Sequence, residues 1–265
     1  MMDTKVSIIG CGNIGLSLLQ GILKGNILPA QNITATRRNI QELTYLKEVG
    51  VRITTDNISA IKGSNLIIIA VKPYNIVNIL EEIKDHLNPK KQILISVTAG
   101  VTIARIQNVV GISIPIFRAM PNISSSVGKS VSCICHNETD IKDIESVKLL
   151  FDTLGTTMII DEELMQSATI LGACGIAYVL RFIRAMIQGG IQIGFDAKTA
   201  SDIVNQTVKG AAELLIERKQ HPEYEIDKVT TPKGCTIVGL NEMEHNGFSS
   251  SLIKGIVASY EKIEK

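Results

Sequence analysis

A short β-branched run, Lys5-Val-Ser-Ile-Ile9, passes directly into Gly10-Cys-Gly-Asn-Ile-Gly15 and then into the helical pattern Leu16-Ser-Leu-Leu-Gln-Gly-Ile-Leu-Lys24. Few folds accommodate that succession. In a strand, turn, helix unit the first glycine permits the tight turn, the second lets backbone approach a pyrophosphate, and the third lets helix and strand pack closely. A ligand-free glycine turn is the bland alternative, but the run sits where the first strand of a doubly wound sheet belongs. Gly10, Cys11, Gly12, Asn13, Ile14 and Gly15 are therefore expected to hold a dinucleotide.

The second strand decides which dinucleotide. It reads Asn32-Ile-Thr-Ala-Thr36 and runs into Arg37-Arg38-Asn39, with no carboxylate for the ribose 2′-OH of NAD. The Thr36 hydroxyl and the guanidiniums of Arg37 and Arg38 suit a 2′-phosphate dianion. NADPH is the expected cofactor, with NADH left open.

Apolar strand-like runs then alternate with amphipathic segments as far as about residue 160, the pattern of a mainly parallel sheet covered on both faces. Beyond it the period is helical throughout, with helices expected over Leu171 to Gly194, from the N-cap Asp196 to Arg218, Cys235 to His245, and Ser249 to Lys262. The sequence thus predicts an α/β Rossmann-type domain over 1–159 and an all-α domain over 160–265. So apolar a helical set points to a homodimer or higher homo-oligomer, since one copy has too little core to cover it, with a self-contained bundle as the alternative.

A formal net charge of +1 and the absence of tryptophan give no electrostatic or stacking case for nucleic acid. Arg181 and Arg184 interrupt the best candidate membrane span, and the N-terminal apolar run is too short for a signal peptide. Five irregularly spaced cysteines suit reduced thiols and a cytoplasmic protein; Cys133 and Cys135 lack a partner pair at zinc spacing, so no metal site is expected. The four histidines, His86, His136, His221 and His245, fall in predicted helix ends and loops, where surface or capping roles are the ordinary reading.

Ligands of open α/β sheets lie at the carboxyl ends of strands. Here those ends carry Val71-Lys72-Pro73, Thr98-Ala-Gly100 and Arg118-Ala-Met-Pro-Asn122, with Lys72 and Asn122 as possible donors. Near the C-terminus a Gly/Pro loop rich in small hydroxyls, Asp227-Lys-Val-Thr-Thr-Pro-Lys-Gly-Cys-Thr236, precedes a helix. Such a loop presents free N–H groups and hydroxyls to an anion, or serves simply as a capped turn.

With Ala70-Val-Lys-Pro73, Ser96-Val-Thr-Ala-Gly-Val-Thr102, Arg118-Ala-Met-Pro-Asn122, Ala177-Tyr178, His221-Pro222, Val229-Thr-Thr-Pro-Lys-Gly-Cys-Thr-Ile237 and Gly247-Phe248 in order, the chain resembles the pyrroline-5-carboxylate reductases along nearly its whole length. The resemblance implies an NAD(P)H-dependent oxidoreductase acting on a C=N bond, reducing a cyclic imino acid to proline in amino-acid biosynthesis. It implies an N-terminal cofactor domain and a helical domain that dimerises by interlocking. The carboxylate would be held by the Thr236 hydroxyl and the N–H groups of Gly234, Cys235 and Thr236, with Glu162, Thr231 and Asn122 on the substrate side. Thr36, Asn57, Ala70, Val71, Lys72, Pro73 and Ala99 would line the cofactor.

The chain departs from the family pattern at three places. Ser-Pro-Gly-Gly reads Thr231-Pro-Lys-Gly, Arg-Met-Pro-Asn-Thr-Pro reads Arg118-Ala-Met-Pro-Asn-Ile-Ser, and Leu-Ser-Gly-Ser-Gly-Pro-Ala-Tyr reads Leu171-Gly-Ala-Cys-Gly-Ile-Ala-Tyr178. A β-hydroxyacid-type or other imine reductase is a rival, though the former resembles a pattern with a lysine on the long helix and Leu171 to Gly194 has none. A noncatalytic NADP-binding regulatory protein is a rival of another class. A protonated cyclic imine needs little beyond positioning to accept hydride, which suits so few ionisable candidates.

Overall fold

The computed structural model describes residues 3–263, which fall into two compact units that part between Cys174 and Gly175. In the first, eight strands form one sheet: β1 Val6–Ile9, β2 Ile33–Thr36, β3 Arg52–Thr54, β4 Leu66–Ile69, β5 Ile93–Ser96, β6 Ile116–Met120, β7 Ser130–His136 and β8 Gly155–Ile159. Their spatial order is β3-β2-β1-β4-β5-β6-β7-β8. Every neighbouring pair is parallel except β6 with β7, so the expected doubly wound sheet is present with one reversal. The chain order reverses direction between β1 and β4, which opens a crevice at the carboxyl ends of those strands.

Five helices connect these strands: α1 Asn13–Gly25, α2 Asn57–Ile61, α3 Ile76–Ile83, α4 Ile103–Val110 and α5 Ile141–Asp152. The two-residue period of each strand sorts its side chains between two cores. Val6, Ile8, Leu66, Ile68, Ile93 and Ile95 pack in one with Leu18, Ile22 and Phe151. Ile9, Ile67, Ile69 and Leu94 pack in the other with Ile76, Leu80 and Ile106. Both faces being buried, the strands need no polar alternation, and the continuous apolar runs in the sequence follow from that.

The long helix predicted over Leu171 to Gly194 is divided. After α6 Met165–Ala168 comes a π-helical stretch, Thr169–Cys174, and only then α7 Gly175–Gln192. The Asn122 amide donates to the Gly172 carbonyl at 2.8 Å, and the Thr169 hydroxyl back-bonds to Met165 O at 2.7 Å. Side-chain donors such as these, Asn122 from outside and Thr169 from within, satisfy helical carbonyls and so accommodate the irregular turn. The sequence boundary at 159/160 falls where β8 ends, whereas the compact units part after Cys174.

The second unit continues with α8 Ala197–Arg218, α9 Pro222–Val229, α10 Cys235–His245 and α11 Phe248–Ile263. Asp196 caps α8 as the sequence predicts, accepting from the N–H groups of Lys198 and Thr199. The short helix α9 is an addition whose signal was present, Pro222 at its first position followed by Glu223 and Glu225. Ala200 and Val204 are the buried apolar side chains among the described residues of this unit, while Leu180, Phe182, Ile193, Ile203, Leu252 and Ile253 stand exposed.

The run Glu162–Gln192 is, by length and composition, apolar enough to cross a membrane. This corrects the expectation that Arg181 and Arg184 exclude it: the run also carries Glu162 and Glu163, yet an apolar stretch within it long enough to cross holds no more than two charges. His221 caps α9 and His86 and His245 end helical turns, but His136 ends β7, where its ring packs tilted against Phe117 with centroids 5.3 Å apart.

Candidate active site

The glycine turn after β1 has a geometry that only its glycines allow. Gly10 has φ +87, and a Cβ there would lie 2.5 Å from Val71 Cγ1. A Cβ on Gly15 would lie 2.8 Å from the Gly10 carbonyl, so α1 approaches the turn closely. At Gly12 an added Cβ would meet nothing within 4 Å, so that face of the turn is open. Gly12 is also the N-cap of α1, with no side chain bonded to the helix start and no acid in the first turn. Unsatisfied N–H groups and the positive end of a 13-residue helix thus stand beside open space at Gly12, which fits a pyrophosphate. Asn13 and Ile14 occupy this first turn. Cys11 beside it is buried, and burial pushes its thiol up to about 11 against the opposing pull of Arg37, so it contributes as an uncharged group.

The end of β2 closes this loop from the side. The Thr36 carbonyl accepts from Gly10 N at 3.2 Å and Cys11 N at 2.7 Å. Its hydroxyl donates to Asn57 Oδ1 at 2.7 Å, and the Asn57 amide donates to Glu82 at 3.0 Å. The Thr36 proton is therefore spent inside the protein, and donation toward a phosphate falls to the arginines. Arg37 reaches the Cys11 carbonyl at 3.4 Å and pairs with Glu42 at 2.8 Å, while Arg38 is exposed. Glu42 and Glu82 are participants that sequence reasoning missed, since an acid several residues beyond a strand end carries no distinguishing signal.

The next strand ends complete the rim. Ala70 is buried beneath the turn and donates its N–H to Ile9 O at 2.8 Å, and Val71 O accepts from the Thr98 hydroxyl at 3.1 Å. Lys72 and Pro73 are exposed where β4 leaves the sheet, and Ala99 is half-buried just beyond β5. All the proposed cofactor residues of the first unit thus gather around the ends of β1, β2, β4 and β5.

Two of the proposed substrate residues belong to the same unit. Asn122 is 6% exposed; its carbonyl accepts from both the backbone and the hydroxyl of Ser124, and its amide serves Gly172, leaving one N–H uncommitted. Glu162 Oε1 accepts from Arg118 Nη1 at 2.7 Å and from Ile103 N at 2.8 Å. Arg118 is nearly fully buried, so this carboxylate neutralises it while joining β6, the start of α4 and the turn Glu162–Leu164. Sequence offers Arg118 only as part of a strand-ending motif; its partner lies 44 residues away.

The remaining residues lie in the second unit, in the loop between α9 and α10 and in the first turn of α10. Gly234 is the N-cap of α10 with no side-chain bond to the helix start. Its N–H is donated to Thr231 O at 2.9 Å, which corrects the expectation that it serves a carboxylate, and a Cβ there would sit 2.5 Å from Thr231 Oγ1, so the loop folds back tightly on Thr231. Lys233, at the position where the family pattern has glycine, takes φ +62. A non-glycine residue in that left-handed region carries strain of about 1–2 kcal/mol. Cys235 and Thr236 are exposed in the first turn of α10. An uncapped helix start with a hydroxyl beside it is suited to a small carboxylate.

A parallel sheet with a glycine turn opening on an uncapped helix, joined to a helical unit with an exposed apolar surface, defines a dinucleotide-dependent oxidoreductase. The family described as pyrroline-5-carboxylate reductase dimerisation matches residues 162–265, and that described as NADP oxidoreductase coenzyme F420-dependent matches residues 5–100. Pyrroline-5-carboxylate reductase 2 of Dictyostelium discoideum is 41% identical over 279 residues, spanning 99% of this chain and 93% of that one. Pyrroline-5-carboxylate reductase 1 of the same organism is also 41% identical, but this chain spans 50% of its length. The crystal structure of Plasmodium falciparum pyrroline carboxylate reductase with NADP bound matches at a TM-score of 0.91 and 28% identity, covering 99% of this chain and 98% of that one. The chain belongs to the pyrroline-5-carboxylate reductase family.

Proposed function

We propose that this protein reduces 1-pyrroline-5-carboxylate to L-proline with NADPH. The observation that carries the reading is the α9–α10 loop. It offers an uncapped helix start, the N–H groups of Cys235 and Thr236 and the Thr236 hydroxyl to one anion, on a chain 41% identical to a named reductase over nearly all of both lengths. Thr231 and Gly234 shape that loop. Glu162, paired with Arg118, and Asn122 are assigned to the substrate side.

When bound, NADPH supplies the hydride for the imine carbon. The chain's own part is to hold two anionic molecules and orient them, a positional contribution of roughly 7–11 kcal/mol to the barrier in well-oriented systems. Gly10 to Gly15 and the α1 start hold the pyrophosphate, Arg37 and Arg38 the 2′-phosphate. Asn57 fixes Thr36, and Ala70, Val71, Lys72, Pro73 and Ala99 form the remaining rim. NADH is accepted more weakly. Residues 160–265 serve as the dimerisation and substrate-binding domain, and the exposed apolar side chains of α7, α8 and α11 supply the homodimer interface. Five unpaired thiols fit a soluble protein of the reducing cytoplasm.

The β-hydroxyacid reading lacks its lysine, since α7 carries Arg181 and Arg184 but no Lys. Purified protein should consume NADPH only when pyrroline-5-carboxylate is added and should yield proline. Turnover of β-hydroxyacids in the reverse direction, or cofactor binding without any turnover, would replace this reading by one of its rivals.

A further inference from the structure

Arg37, the residue that immediately follows β2, is already occupied. Its Nη2 lies 2.8 Å from Glu42 Oε2, and its Nη1 points at the Cys11 carbonyl of the glycine turn, 3.4 Å away. The first contact is an anion on a guanidinium at the strand end where the adenosine ribose of a dinucleotide lies. Glu42 is held for this contact by its own backbone. Asn39 caps the helical segment Ile40–Lys47, accepting from Gln41 N at 3.1 Å, and so places Glu42 in its first turn. The Glu42 side chain is 58% exposed against 29% for Arg37, so the carboxylate is free to swing away while the guanidinium stays seated.

We propose that Glu42 is a cofactor-specificity residue whose carboxylate holds, on Arg37, the place that the 2′-phosphate of NADPH takes. The inference rests on the NADPH reading above. Phosphate binding is then an exchange of one anion for another on a single fork, and Arg37 is paired before and after it. A dianion bonded bidentately outcompetes a half-exposed carboxylate, and the displaced Glu42 keeps the favourable surroundings of a helix start. NADH carries no such phosphate and leaves the pair intact. Glu42 thereby narrows the gap between the two cofactors.

The chain has no tryptophan, so cofactor affinity is best read from the fluorescence of the reduced nicotinamide on titration with protein. Glu42→Gln is isosteric at an exposed position and should leave folding unchanged. It should tighten NADPH about two- to fivefold, the range for removing one exposed ionic competitor, without tightening NADH. In an Arg37→Ala background the same substitution should lose most of that gain, because the contested cation is gone. An unchanged NADPH to NADH ratio in Glu42→Gln overturns the proposal. So does a gain that persists undiminished without Arg37, which would mean plain repulsion between Glu42 and the phosphate. If Arg37→Ala weakens both cofactors equally, the assignment of the 2′-phosphate to this strand end fails as well.

Discussion

Arg118 and Glu162 meet at 2.7 Å, one nearly buried on β6 and the other on the turn at the start of the region matched to the dimerisation family. The same Glu162 oxygen accepts the Ile103 N–H at the start of α4. One carboxylate thus fixes three segments that surround the ends of β5 and β6.

Removing one partner of such a pair leaves the other uncompensated. Glu162→Ala should destabilise the protein by about 2–4 kcal/mol, since it strands a buried guanidinium and an amide N–H. The double variant Arg118→Met, Glu162→Leu should be more stable than Glu162→Ala, because no buried charge remains. Chemical denaturation of the variants measures both. A Glu162→Ala protein as stable as the parent would mean that the pair contributes only surface electrostatics.

Assembly should fail without loss of the protomer fold when charges are set into the exposed apolar surface. Leu180→Glu with Ile203→Glu alters side chains that are 53% and 47% exposed in the single chain, so neither belongs to a protomer core. Light scattering should find a dimer for the parent and a monomer for this variant, with helical circular dichroism retained. A parent protein that is monomeric at micromolar concentration would contradict the reading.

Thiol chemistry should separate the cysteines. Burial raises Cys11 from 9.0 to about 11 and Cys135 likewise to about 11, so both stay protonated and inert to alkylation near neutral pH. Cys235 is exposed at a helix start and should react, and a bound carboxylate such as proline should shield it. The raised pKa values also set a sign. The unfolded chain loses these protons first, so their contribution to stability is complete below about pH 9 and is lost as pH rises toward 11. Mass spectrometry after timed alkylation, and melting temperatures across that range, test the two statements.

The sheet was legible because its strands are buried on both faces and therefore continuous in sequence, and because the glycine turn has few other uses. Asp196 and Cys235 marked helix starts through local signals that survive folding. The π-helical stretch was not legible, since the donor that permits it, Asn122, comes from 50 residues away. For the same reason the Arg118–Glu162 pair appears only once the chain is folded, whereas the capture of Arg37 by the nearby Glu42 was not legible because an acid just beyond a strand end carries no distinguishing signal. Thr36 was placed correctly at the end of β2, but the spending of its proton on Asn57 depends on α2 and is invisible to a reading of β2 alone.

The most direct test of the account is kcat/KM for pyrroline-5-carboxylate at saturating NADPH, measured for the parent and for Thr236→Ala, with thermal stability recorded on the same samples. Thr236 is exposed in the first turn of α10, whose start has no side-chain cap, and its hydroxyl and N–H are the groups proposed to hold the substrate carboxylate. The parent should turn over, and the variant should lose about 1.5–3 kcal/mol of transition-state stabilisation, roughly ten- to a hundredfold in kcat/KM. NADPH affinity should stay the same, and melting should shift by no more than about 1 kcal/mol. A parent that fails to oxidise NADPH with this substrate, or a Thr236→Ala protein that melts early yet turns over normally, would contradict it.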